Sequence, residues 1–465
     1  MIPMTLGEVA RAMGAECAPA DRAVQVRRVV IDSREVRPGD LFFALRGQQT
    51  DGHRFVAAAA AAGAAACICN LGVDRPDGQT ARQLEVPDTV AALGSLAAYY
   101  RQEIMSPDTV VVGVTGSNGK TTTKCMIDHV LGCTYPGRAS PKSFNNSLGV
   151  PLTLLSSEPG DRYLVAEIGT NAPGEIAELA SIAAPHVGVI TSIGEAHLEG
   201  LGSLEAIAEE KTALVEGLPG NGLAVVNIDR AEILPWLTRN PRVRLVTVGF
   251  GDHAKLRVTR VSGDIHYTLC EFDGRHRVTL PMPGRHHAGN AAAAFAVARW
   301  FGVDPGDILQ RLASFRPPAG RTRVLEVGDI TIVDDTYNAN PSSVFAAVSA
   351  LRGETSRRRV FVLGDMLELG QTAEAHHERV VRSILESDID LLVTVGPASG
   401  EAARSATRFE SRRVTVCDNI DAAADVLQEK LRPADVVWVK ASRGMGLDRL
   451  VARLESCRPT EAAVA

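Results

Sequence analysis

VVVGVTGSNGKTTTK, residues 110–124, runs from β-branched residues through a glycine turn into a Lys-Thr-rich stretch. An apolar run without alternation suits a parallel strand buried on both faces. After it, Gly116, Ser117, Asn118 and Gly119 make a turn whose backbone N–H groups can converge on an anion at a helix N-terminus. Lys120 supplies a point charge there, and the Thr121 hydroxyl, with Thr122 next to it, can reach a divalent cation. The pattern departs from the usual G-x-x-x-x-G-K-[ST]: Val114 stands at the first glycine position, and Gly116 lies two residues closer to the lysine. A chance glycine turn is the alternative, but strand, turn and helix in this order predict an ATP site.

Outward from the loop the same rhythm repeats. YLVAEIG (163–169), VGVITSIG (187–194) and LAVVNID (223–229) end in small or polar residues, where ligands dock in open α/β sheets. The stretch 252–285 alternates instead and is expected to fold as antiparallel hairpins, a local insert. GNAAAAFAVARWFG (289–302) has strong helix propensity. FRPPAGR (315–321) breaks the pattern, and the βα rhythm restarts with ITIVDD (330–335), RRVFVLGD (358–365), IDLLVTVG (389–396), RRVTVCD (412–418) and ADVVWVKAS (434–442). On the other side, RRVVIDSREVRPGDLFFALRG (27–47) looks like a small strand-rich sheet, and Ser106-Pro107-Asp108 looks like a linker. The 465 residues therefore divide into three expected α/β domains. These are a small mixed α/β domain over 1–107, a central P-loop-type ATPase domain with a mostly parallel sheet over 108–320, and a Rossmann-like doubly wound domain over 321–465.

Composition narrows the partners. The 49 basic and 55 acidic residues leave a net charge of −6, which argues against nucleic acid as the main partner. Seven of the basic residues are lysines, so each lysine is a better functional clue than usual. The eight cysteines form no C-x-x-C pair and suit a reducing compartment. The N-terminus lacks a basic, apolar leader, and the longest apolar run is shorter than the ~18–20 residues of a membrane span. A cytoplasmic protein without a membrane partner is expected, acting as a monomer.

Further residue types suit metal and substrate chemistry. Glu167 ends a strand, and beside a P-loop a strand-end acid faces the phosphates and their Mg²⁺. In SIGEAHLEGLGSLEAIAEEKT (192–212), His197 follows a strand and Lys211 sits on the next helix among glutamates. By itself Lys211 looks like a solvated ion pair. SFNNSLGVPLTLL (143–155) offers the amides Asn145 and Asn146, either as turn residues or as contacts to a polar substrate.

Taken together, TGSNGKTTTK, AEIGTN, AHLEGLGSLEAIAEEKT, GRHHAGNAAAA, the later Gly320-Arg321 and DDTYNANPSS resemble the Mur ligases, ATP-dependent amide-forming enzymes of peptidoglycan precursor synthesis. DSREVRPGDLFFALRGQQTDGH, FNNSLGVP, DDTYNANP and LGDMLELG are most similar to the members that add D-alanyl-D-alanine to UDP-N-acetylmuramoyl-tripeptide. The resemblance runs from about Thr5 to about Leu454.

It implies roles by position. Lys120 and Thr121 would hold ATP phosphates and magnesium. Glu167 would bind one Mg²⁺, His197 would help hold a second, and Lys211 would be carbamylated. Asn290 would contact adenine, Arg321 would reach the γ-phosphate, and Asp335 would bind ribose. Ser33, Arg34 and the Gly47–His53 region, with Asp51, would hold the UDP moiety. Asn145 and Asn146 would face the muramoyl-peptide. Asn338, Asn340 and the Lys440-Ala441-Ser442-Arg443 turn would receive the dipeptide and the acyl phosphate. The family usually shows His-Asn where this chain has His286-His287, so one adenine contact differs while Asn290 is retained.

Rival readings explain less. A diaminopimelate-adding relative lacks support because a D-N-P-R tetrapeptide is absent, and a folylpolyglutamate synthase-like ligase remains the other relative to exclude. A P-loop kinase or nucleotide switch leaves Lys211, the paired asparagines and the last third of the chain unexplained. A catalytically dead binding protein is disfavoured by the intact phosphate-facing residues. Lys120→Ala is expected to lower kcat at least ~10²-fold, because it removes a cation whose interaction strengthens as charge moves to the leaving phosphate. Steady-state turnover near the parent value would place the nucleotide elsewhere.

Overall fold

The strand Val110–Thr115 is buried from Val111 onward, as a run apolar on both faces requires. In the computed structural model, which describes residues 1–47, 50–72, 82–237, 239–406 and 413–457, it lies inside a nine-stranded sheet. The order across that sheet is His276–Leu280, Thr268–Phe272, Leu256–Gly263, Arg244–Gly249, Leu223–Asn227, Val187–Ile190, Val110–Thr115, Tyr163–Glu167 and Gly137–Ala139. From Leu256–Gly263 to Gly137–Ala139 every pairing is parallel, so these strands all end on one edge. Register then fixes the neighbours. Val114 pairs with Glu167 and Thr115 with Ile190, which sets the glycine turn between Glu167 and the loop after Ile190.

The hairpins are antiparallel as expected, but they are not a separate insert. Leu256–Gly263 pairs in parallel with Arg244–Gly249, so the hairpins extend the main sheet and cover an edge that would otherwise expose unpaired backbone groups. The helix His286–Trp300 is buried continuously from His287 to Ala298. Its alanines favour the helix and let it lie close to the helix Lys120–Leu131 within one apolar core.

In the N-terminal part, four parallel strands, Arg28–Val30, Asp40–Phe43, Ala66–Asn70 and Gln83–Val86, make a small sheet. Asp88 caps the next helix, Thr89–Tyr99, by accepting from the N–H groups of Val90 and Ala91. That helix buries Leu93 and Leu96 in the same core as Val150, Leu154 and Ile176, so one hydrophobic core continues across the Ser106–Asp108 turn. Tyr100 seals the joint: its hydroxyl accepts from Ile2 N–H at 2.7 Å and donates to the Ser157 carbonyl at 3.1 Å.

The last third is a six-stranded sheet in the order Arg323–Val327, Ile330–Asp335, Val436–Lys440, Arg359–Gly364, Leu391–Val395, Val414–Cys417. Only the first pair is antiparallel. Helices Pro341–Arg352 and Ala373–Leu385 pack on one face, Ile420–Lys430 and Asp448–Cys457 on the other, as a doubly wound unit requires. Among the described residues, no helix is long and apolar enough to cross a membrane.

The central sheet grips this unit through a hairpin tip. Ile265, fully buried, sits in the apolar cluster of Val344, Ala347, Val348 and Leu351. His266 beside it lies 3.6 Å from Glu326 and 3.4 Å from Arg357. Ile265→Ala should destabilise the protein by roughly 2–5 kcal/mol and Ile265→Asp by more, since the second buries an unpaired carboxylate. Thermal melts check the order parent, Ala, Asp; equal melting temperatures would show that the tip bears no load.

Candidate active site

The glycine turn can form only because two positions lack a side chain. Gly116 and Gly119 have φ of 144° and 84°. A Cβ on Gly116 would come 2.0 Å from Thr191 Oγ1, and one on Gly119 2.5 Å from Asn290 Oδ1. Neighbours then pin the turn. Ser117 Oγ donates to the Gly194 carbonyl at 2.9 Å, and the Asn118 N–H donates to Ser192 Oγ at 2.9 Å. Lys120 Nζ donates to the Gly116 carbonyl at 2.6 Å and so folds back over the turn. Burial lowers its pKa, Glu167 opposing and Arg321 adding to the effect.

Next to the turn, four predicted residues meet. Thr121 Oγ1 donates to Glu167 Oε2 at 2.9 Å, and Asn145 Nδ2 donates to Glu167 Oε1 at 3.0 Å. Arg321 Nη2 donates to Thr121 Oγ1 at 3.0 Å, and its guanidinium lies 3.7 Å from the centre of the Tyr337 ring. Asn146 accepts from the N–H groups of Leu148 and Gly149, so its carbonyl serves the turn while the residue lines the cavity.

These groups wall a cavity of about 490 Å³ between the central and C-terminal sheets, lined from Ser117 through Thr122 on one side. Asn290, His286 and His287 form its floor. His287 lies 3.4 Å from Asn290 Nδ2 and 3.3 Å from Thr322 Oγ1, and its ring centre is 3.9 Å from that of His286. His287 is buried, and that burial pushes its ring well below its ordinary value, whereas His286 beside it is exposed. From the opposite wall, Asp335 accepts from Lys440 Nζ at 2.6 Å, and Lys440 also donates to the Asn338 carbonyl at 3.1 Å. Asn340 caps helix Pro341–Arg352 and donates to Asn118 Oδ1 at 2.8 Å, tying the turn to the C-terminal unit. Arg443 donates to the Tyr337 hydroxyl at 2.9 Å. Ser442 stands behind the wall, where its hydroxyl accepts from Leu367 N–H at 2.9 Å.

A second cavity of about 410 Å³ opens beside the first. The two share Lys120, Asn145, Asn146 and His197. His197 has a left-handed backbone, φ 57°, and its Nδ1 lies 3.0 Å from a Glu368 carboxylate oxygen. Glu368 is itself left-handed at φ 64°, and the His197 contact holds its carboxyl below the usual range.

Lys211 is not the surface ion pair that its neighbours suggest. It is 1% exposed, and its partner-in-waiting Glu210 instead accepts from Gly174 and Ile176 N–H groups at 2.7 Å each. Burial, with the charge of Lys120, pushes the Lys211 ammonium down to about 7. Lys211 lines neither cavity.

The N-terminal candidates also stand apart from both cavities. Ser33 opens a short 3₁₀ turn, and exposed Arg34 pairs with Asp32 at 2.6 Å. Asp51 Oδ1 lies 2.6 Å from His53 Nδ1, whose other ring nitrogen accepts from Asn70 N–H at 3.0 Å. Gly47 donates to the Thr50 carbonyl at 2.9 Å; Gln48 and Gln49 lie outside the described residues. Sequence reasoning missed Tyr337 and Glu368. Both lay inside quoted motifs, DDTYNANP and LGDMLELG, but only the fold turns them toward the cavity.

Comparison with known proteins identifies the family over most of the chain. Residues 25–101 match the Mur ligase family catalytic domain, 114–298 the Mur ligase middle domain, and 320–443 the Mur ligase glutamate ligase domain. The chain belongs to the Mur ligase family. It is therefore an ATP-dependent enzyme that forms amide bonds. It is 35% identical to the UDP-N-acetylmuramoyl-tripeptide–D-alanyl-D-alanine ligase of Bacillus subtilis strain 168, over 97% of this chain and 98% of that one. Among solved structures, MurF from Acinetobacter baumannii superposes with a TM-score of 0.87 at 29% identity, covering 98% of this Mur ligase and 99% of that chain. MurF ligase from Thermotoga maritima in complex with ADP gives 0.81 at 30% identity, covering 93% and 97%.

Proposed function

We propose that this Mur ligase joins D-alanyl-D-alanine to UDP-N-acetylmuramoyl-tripeptide through an acyl phosphate, in the cytoplasm and as a monomer. The observation that carries the reading is the junction of the two cavities at Lys120, Asn145, Asn146 and His197. One cavity suits a triphosphate on the glycine turn, and the other suits the peptide whose carboxylate must reach it. The segment 1–107 would hold the UDP moiety through Ser33, Arg34, Gly47, Asp51 and His53. The segment 108–320 would hold ATP, and 321–465 would receive the dipeptide at Asn338, Asn340, Lys440 and Arg443, with Ser442 supporting that wall from behind.

The chemistry follows from charge. A carboxylate and a triphosphate repel each other, so the attacking oxygen needs cations near it, and Lys120 and Arg321, which line the cavity, would supply them. The carboxylate oxygen bonds to the γ-phosphorus as the bond to ADP breaks. The dipeptide amine then bonds to the acyl carbon, loses its proton, and the carbon–oxygen bond to phosphate breaks. The acyl phosphate must be kept from water, which closure of the C-terminal unit over the cavity would do. Asn290 and Asp335 would contact adenine and ribose. Thr121 and Glu167, whose oxygens lie 2.9 Å apart, suit a first Mg²⁺, which prefers hard oxygen donors and, when bound, neutralises phosphate charge. His197 and a carbamate on Lys211 would hold a second.

Phosphate release should require both the tripeptide nucleotide and D-Ala-D-Ala, measured by coupled phosphate assay with each omitted in turn. Equal ATP turnover with both omitted would mean a kinase-like or switch activity instead.

Lys211 gives the sharper test. A protonated ammonium repels Mg²⁺, whereas an amine with a pKa of about 7 is partly neutral at pH 7 and can add CO₂ to give an anion with two hard oxygens. Lys211→Ala should be nearly inactive, and Lys211→Arg no better despite keeping the charge. Acetate should restore part of the activity of the Ala variant and none of the Arg variant's. Full turnover in Lys211→Arg would leave the residue a buried structural cation.

A further inference from the structure

A second lysine on the phosphate-turn helix is buried beside the site and has no part in the mechanism above. Lys124 lies one helical turn after Lys120 and is 1% exposed. Its Nζ donates to the Ser140 carbonyl at 2.8 Å and to the Lys142 carbonyl, and stands 3.6 Å from Glu167 Oε2. An ammonium has three donors, and here three oxygens surround it. A charge so placed is tolerated only because it is paired and hydrogen-bonded.

The two carbonyls belong to one loop and lie two residues apart. Between them the chain must turn sharply, and Lys142 adopts a left-handed φ of 47°, which a side-chain-bearing residue holds only under external constraint. Immediately after that turn come Ser143, whose Oγ is 3.1 Å from Thr121 Oγ1, and Asn145, which donates to Glu167. Asn145 and Asn146 then line both cavities. One ammonium therefore fixes the backbone of the loop and the carboxylate that its asparagine meets.

We propose that Lys124 is a positioning residue that clamps the loop 140–146 to the phosphate-turn helix and so presents Asn145 and Asn146 to the acyl substrate, not to the nucleotide. The inference rests on the reading of the second cavity as the peptide site. A lysine kept only for packing would lower stability and both affinities together, whereas a clamp on the substrate loop separates them.

The test uses the full-length protein with Lys124→Met, which keeps length and loses charge and donors, and Lys124→Gln, which keeps neutral donors. Calorimetry with ADP should give a dissociation constant within about 3-fold of the parent for both, while the KM for UDP-N-acetylmuramoyl-tripeptide rises at least about 10-fold in Lys124→Met and less in Lys124→Gln. Hydrogen exchange at amides 142–147 should accelerate at least about 10-fold in Lys124→Met, with the sheet 330–440 unchanged. If Lys124→Met does not fold, Lys124→Gln carries the same comparison. Parallel loss of both affinities, or protection of 142–147 as in the parent, overturns the clamp. A parent protein that binds no UDP-N-acetylmuramoyl-tripeptide by calorimetry overturns the peptide-site reading instead, and the exchange result still decides whether Lys124 holds the loop.

Discussion

A buried carboxylate in need of partners organises this molecule. Glu167 is 1% exposed, and a charge so placed is stable only when its oxygens are matched by donors or cations. Its partners come from separate places in the chain: Thr121 and Lys124 from the phosphate-turn helix, Asn145 from the following loop. Arg321, bonded to Thr121, brings in the segment that leads to the third sheet. Satisfying one side chain thus fixes the helix start, the loop and the approach of the C-terminal unit. The parallel register that pairs Val114 with Glu167 is what puts the carboxylate within reach of all of them.

Two kinds of contact hold the C-terminal unit over the central sheet, and they differ in what they cost to break. At the hairpin tip the contact is apolar, through Ile265, and depends on no ligand. Elsewhere it is polar: Asn118 with Asn340 and His197 with Glu368 at the cavity, and Arg379 with Glu195 outside it. Exposed or half-exposed polar pairs contribute little net stability because water competes for the same groups. The apolar tip therefore supplies the lasting attachment, and the polar rim lines the cavity with groups that can exchange partners when substrates arrive.

Much of this was legible in the sequence, for reasons that also mark where legibility ends. The central strands were clear because parallel strands buried on both faces carry unbroken apolar runs, and the glycine turn because its two glycines have a steric cause. Gly137–Ala139 was missed because three residues, none with a large apolar side chain, carry no periodic signal. The hairpins were seen, but their parallel joint to Arg244–Gly249 is a tertiary choice. Lys211 sits in AEEKT, which looks solvated; only the fold reveals that Glu210 is spent on the N-terminus of helix Glu175–Ala183 and leaves the lysine buried. Lys124, Tyr337 and Glu368 act through partners far away in sequence, and no local pattern announces that.

The charge balance of the cavity explains why so many ionisable groups share one site. Lys120, Arg230, Arg321, Lys440 and Arg443 face Glu167, Asp335 and Glu368 across it. Asp335 is matched by Lys440 at 2.6 Å, and Glu368 by His197 at 3.0 Å, so these two carboxylates are largely satisfied within the protein. Lys120 and Arg321 are different: the contacts described for them are to a backbone carbonyl, a hydroxyl and an aromatic face. None of these cancels a positive charge as a carboxylate does. Burial has already removed much of their hydration, which is why both are held below their ordinary pKa. Two poorly compensated cations, set where a triphosphate and a second carboxylate must meet, gain most when both anions are present and when charge moves between them. That is the electrostatic condition for joining an acid to an amine through a phosphate.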